Sequence, residues 1–132
     1  MLKLIYTENS LYLEHLAQTA TAFLVQRTSL SWQMQCDFIV QKSYGAFLLS
    51  AHLPELSQLN IAARKIDPQR LSLSTADSDV VEVSLQGYWI AEQPHSSAGL
   101  LVAELPAPLE ALLFNLWLKT RRIMPLHQVF EH

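Results

Sequence analysis

A chain of 132 residues carries one domain by default and buries roughly two-thirds of its unfolded surface, enough for a core without staples. Half of its residues are hydrophobic and 16% are charged, well below the roughly 25% of an average globular domain, so apolar surface is in surplus. The net charge of −3 argues against a nucleic-acid footprint, which needs a basic face.

The elements follow in chain order. Leu2 to Tyr6 alternates and reads as a first strand. Thr7-Glu8-Asn9-Ser10 supplies N-cap candidates for a helix over Leu11 to Arg27, where Leu13, Leu16, Ala17, Ala20, Phe23 and Leu24 fall at three- and four-residue spacing. Leu30 to Val40 alternates again, with Leu30, Trp32, Met34, Cys36 and Phe38 in one phase, and reads as a strand. Gln41-Lys42-Ser43 reads as the turn into a hairpin partner, Tyr44 to Ala51, in which Gly45 marks a bulge.

Pro54 opens a second helix lined by Leu56, Leu59, Ala63 and Ile66, and Asp67-Pro68 stops it. Arg70 to Ser74 is a short strand, followed by a polar turn at Thr75 to Asp79. Val80 to Glu92 is the longest strand: Val81, Val83 and Leu85 alternate with Glu82, Ser84 and Gln86. Ala98 to Leu105 is expected to close a three-strand meander. Pro106 and Pro108 start the last helix, Leu109 to Arg121, with a stripe of Leu109, Leu112, Leu113, Leu116 and Trp117. The order is β-α-β-β-α-β-β-β-α. It specifies an α+β, two-layer fold: a mostly antiparallel sheet of five to six strands with three helices on one face. The domain is expected to span residues 1–122, with a C-terminal tail at 123–132.

Chemistry is harder to find. Three glycines are too few for a phosphate-binding loop. Cys36, the only cysteine, shares an apolar phase and is expected to be buried rather than reactive, and a single cysteine suits a reducing cytoplasm. Asp77, Asp79 and Glu82 are explained by turn chemistry before metal binding. His127, Glu131 and His132 lie in the tail, without the rigid support a metal site wants. Lys119, Arg121 and Arg122 complement the end of the last helix, and Arg64 and Lys65 that of the second. The most apolar window, Gly99 to Leu118, is broken by Glu104, Pro106, Pro108 and Glu110, so no membrane span is expected. No catalytic, cofactor-binding or metal-ligating residue is assigned.

Aromatic residues carry what signal there is. Tyr88 and Trp89 are adjacent on one strand and must point to opposite faces, so one leaves the covered face. That makes the pair a candidate interface. Trp32, Tyr44 and Trp117 are candidates to line an apolar pocket between sheet and helices, with the apolar phases of Trp32 and Trp117 expected to bury them.

Three segments, Leu2-Lys3-Leu4-Ile5-Tyr6-Thr7-Glu8-Asn9, Val81-Glu82-Val83-Ser84-Leu85-Gln86-Gly87-Tyr88-Trp89 and Leu113-Phe114-Asn115-Leu116-Trp117, resemble in order a small family of uncharacterised proteins from cyanobacteria. The resemblance implies a cytoplasmic protein of a photosynthetic bacterium and transfers no activity. The expectation is therefore a non-enzymatic interaction or assembly module, self-associating or bound to a protein partner, without nucleic acid. The alternative is a small-ligand-binding protein or enzyme using the pocket.

Overall fold

A computed structural model describes residues 1–93 and 95–123. The expected tail, including His127, Glu131 and His132, lies outside the described residues from 124 onward. The chain runs β1 (Leu2–Tyr6), β2 (Leu11–His15), α1 (Ala20–Met34), β3 (Ile39–Ser50), α2 (Leu56–Ala63), β4 (Leu71–Thr75), β5 (Val80–Ala91), β6 (Gly99–Ala103) and α3 (Ala107–Ile123). This is the expected α+β class: six antiparallel strands and three helices. No helix among the described residues is long and apolar enough to cross a membrane.

The path through the sheet is β2-β1-β6-β5-β3. β5 organises it. β3 pairs with β5 along its whole length, from Ile39 opposite Ala91 to Ser50 opposite Val80. That occupies one edge of β5 completely. The other edge is shared: β4 pairs with Val81 to Leu85 and β6 with Tyr88 to Ile90. The expected meander is thus replaced by two short strands lying end to end along one side of β5, because β3 has taken the other side.

Alternation along the strands builds two cores. Leu2, Leu4, Leu101, Ala103, Val83, Leu85, Phe47 and Leu49 face one way and meet Leu59 of α2 and Leu109, Leu113, Leu116 and Trp117 of α3. Val102, Ile90 and Leu100 face the other way and meet Ala20, Phe23 and Leu24 of α1, with Met1 and Phe38. The expected helical layer is the one made by α2 and α3; α1 covers part of the opposite face.

Between residues 11 and 51 the elements differ from the sequence reading. Thr7 to Ser10 is a hairpin turn, with the Thr7 amide donating to the Ser10 carbonyl at 2.9 Å, and not a helix cap. Leu11 and Leu13 are buried while Tyr12 is exposed, which is the two-residue period of β2. The helix begins instead at the Thr19 cap, whose hydroxyl accepts from the Ala22 amide at 3.1 Å. It runs through Leu30 to Met34, where a strand was expected, and ends on Gln35 in the left-handed region at φ 56°. The expected turn at Gln41 to Ser43 is regular strand opposite Trp89, Tyr88 and Gly87, and Gly45 pairs with Leu85 without a bulge.

Gly45 serves a close approach. A Cβ there would lie 2.5 Å from Leu101 Cδ2 and 2.9 Å from the Tyr6 hydroxyl. The middle of β3 thus curls over the α2–α3 core.

Candidate interaction surface

α1 packs on the sheet only through its first turns. The Ala20 amide donates to Glu104 at 2.8 Å, and Ala20, Phe23 and Leu24 lie against Ile90 and Val102. The helix then continues past its own core. Trp32 is 85% exposed, Met34 63%, Val25 60% and Leu30 53%. A helix facing water normally carries charge on the wet side. Here Arg27 is the only charged residue between Thr19 and Cys36. Val25 and Trp32 lie seven residues apart on one side, Leu30 and Met34 four apart on another, so apolar side chains point to solvent in more than one direction.

The sheet extends this surface. Val40, Lys42 and Tyr44 alternate on the face of β3 that carries Ile90 and Val102, and Lys42 is opposite Tyr88. Tyr44 is 59% exposed, and Val40 and Tyr88 are exposed as well. Together these seven apolar side chains expose on the order of 800 Å², spread over more than one side of α1 and the adjoining sheet face.

β3 is also the last strand, so its outer edge has no partner strand among the described residues. Two side chains occupy part of that edge. The Tyr6 hydroxyl accepts from the Ala46 amide at 3.2 Å and donates to the Ala46 carbonyl at 3.4 Å. Thr120 of α3 accepts from the Ser50 amide at 3.0 Å. By the same alternation Lys42 and Tyr44 turn their backbone groups outward, and Lys42 supplies the charge that blunts an open edge.

The residues singled out by sequence do not converge. Trp117 is 1% exposed in the α2–α3 core, on the far side of the sheet from Trp32. Trp32 is not buried, and Trp32 and Tyr44 belong to the exposed surface instead. Of the adjacent pair, Trp89 turns inward and meets Tyr6 edge-on with centroids 5.5 Å apart, whereas Tyr88 turns outward. Cys36, expected in the core, is exposed, because it follows the end of α1 rather than lying in a strand. Asp77 does what its turn requires, accepting from the Asp79 and Val80 amides at 2.7 and 3.1 Å. Arg121 lies over the Tyr12 and Trp117 rings, and Lys119 pairs with Glu55 at 2.6 Å. That lysine holds the Glu55 carboxyl below its ordinary range.

One buried polar cluster was not read from sequence, where Glu110 only interrupts the apolar window from Gly99 to Leu118. Its carboxylate is buried and accepts from the Leu105 amide at 2.8 Å; its other oxygen lies 3.0 Å from the Met1 amine and 3.2 Å from His15 Nε2. The Met1 amine also donates to the Leu16 and Gln18 carbonyls. These bonds tie the start of β1, the end of β2 and the first turn of α3 together. Glu110→Ala is expected to cost about 2 kcal/mol, because a buried N–H loses a charged acceptor. Glu110→Gln keeps one acceptor but turns an N–H donor toward either the Leu105 amide or the Met1 amine, so it should cost nearly as much, read by urea denaturation.

The molecule is an α+β domain that, among the described residues, leaves an apolar surface on α1 and β3 exposed. No curated protein and no solved structure matches the chain. It belongs to the Alr0857-like family, whose model matches residues 1–121.

Proposed function

We propose that this chain is a non-enzymatic interaction module of the cytoplasm, in a cyanobacterium, that self-associates through the surface centred on the second half of α1. The origin is supported by the family's name, which is taken from a cyanobacterial locus. One observation carries the self-association: Trp32 stands 85% exposed on a helix with a single charged residue. Leaving an indole and three aliphatic side chains in water costs on the order of 25 cal/mol for each Å² of apolar area, and association removes that cost. Aromatic anchors of this kind dominate interface energies.

Sedimentation of the full chain tests it. The wild type is expected at an integer multiple of 15.0 kDa, and Trp32→Glu at the single-chain mass. The fold should be unchanged by circular dichroism, since the side chain touches little of its own core. An unaltered assembly in Trp32→Glu would sink the reading.

A groove between α1 and the sheet supports the alternative reading, a small-ligand site. It has a volume of about 500 Å³, a floor of Ile5, Phe38, Ile90 and Leu100, and Lys3 and Arg27 along it. That is within the usual size of ligand pockets. A thermal-shift screen separates the readings: a ligand that binds the folded state raises the midpoint even in Trp32→Glu.

A further inference from the structure

We propose that a second copy of this chain seats its Trp32 in a groove beside this chain's own Trp32, pairing the two α1 helices across a two-fold axis. This rests on the reading of the α1 surface as an interface, and names its occupant and geometry. The groove lies at the C-terminal end of α1 and has a volume of about 530 Å³. Trp32 forms one wall. Thr28, Ser31, Gln35, Cys36, Asp37 and Phe38 form the rest.

The lining suits an indole. An indole needs apolar contact and one acceptor for its N–H. Phe38 and the Thr28 methyl supply contact; the side chains of Asp37 and Gln35 supply acceptors. Trp32 does not fill its own groove, since the ring is 85% exposed.

Symmetry selects the occupant. A two-fold interface must be its own complement. A surface with a projecting ring next to a groove that accepts one meets that condition, whereas a different partner would need only one of the two features. Little charge opposes such a contact: Arg27 and Asp37 are the only charged residues from Thr19 to Gln41, so few like charges are brought together across the axis.

Cys36 reports on the groove, and it is the only thiol. Iodoacetamide labelling of the full chain, followed by intact mass alongside sedimentation over a range of protein concentration, tests the seating. Labelling in the assembled species is expected to be at least ten-fold slower than in dilute protein, and Trp32→Ala should label fast at every concentration. Assembly with Cys36 labelling at the dilute rate overturns the seating and leaves self-association standing. A single-chain mass at every concentration overturns both.

Discussion

Trp117→Ala is expected to lower the free energy of unfolding by about 3–5 kcal/mol, the range for removing a large aromatic from a closed core. Trp117 is 1% exposed, stacks on Phe114 with centroids 6.4 Å apart, and sits in the α2–α3 core with Leu113 and Leu116. Truncation leaves a void that these neighbours, fixed on a helix and a sheet, fill only in part. Its indole N–H is buried and finds no acceptor among the described residues. Trp117→Phe removes that N–H and keeps a ring, so its cost is expected to stay below about 2 kcal/mol. The same truncation at Trp32 should change stability by no more than about 0.5 kcal/mol, because little of that side chain is buried. Urea denaturation at concentrations where the protein sediments as a single chain makes the comparison, since dissociation would otherwise add to the Trp32 value. Equal costs at the two tryptophans would contradict the division between core and contact surface.

The same two residues show what sequence reveals here and what it hides. Trp117 belongs to a stripe, Leu109, Leu113, Leu116 and Trp117, that packs on one core, so its helical period reports its burial directly. β5 is legible for the same reason: Val83 and Leu85 are buried at the two-residue period read from the sequence. Leu59 likewise marks α2, although the helix begins at Leu56 rather than Pro54 and ends at Ala63, before Ile66.

Trp32 is different. The second half of α1 packs against no core among the described residues, so no inward stripe constrains it. Its apolar residues at 30, 32 and 34, followed by Cys36 and Phe38, then produce an alternation that no sheet uses. A misread helix and an uncovered apolar surface are one fact, and local rules fail most where a chain is shaped by contacts beyond its own fold. The error at Leu11 has a more ordinary source. Thr7 to Ser10 has residues suited both to a helix cap and to a hairpin turn, and five residues of β2 are too few for period alone to decide. Only pairing of Leu2 through Tyr6 with Leu11 through His15 settles it, and that contact is between strands. Glu110 was hidden by the same distance: its partners Met1 and His15 come from the other end of the chain.

Gly87→Ala is expected to cost about 3 kcal/mol or more, at the top of the range for overpacking. No glycine of the described residues has a positive φ, so the cost does not come from an unusual backbone conformation. It comes from the shared edge of β5. Leu85 is the last residue paired with β4 and Tyr88 the first paired with β6. The Gln86 amide donates to the Arg70 carbonyl at 3.0 Å, so Gly87 stands where one neighbour gives way to the next. A Cβ there would lie 2.3 Å from the Val102 carbonyl oxygen and 3.0 Å from its carbon. Backbone has no rotamer to yield. β6 would have to move, and Val102 lies in the α1 core while Leu101 and Ala103 lie in the other. Gly45→Ala makes the control. Its nearest neighbours are the end of the Leu101 side chain and the Tyr6 hydroxyl, which can turn aside, so it should cost about 1–2 kcal/mol. Denaturation curves for both variants decide the matter. A cost at Gly87 no greater than at Gly45 would mean that β6 can slide along β5, and the junction of the two short strands would lose its claim to hold both cores in register.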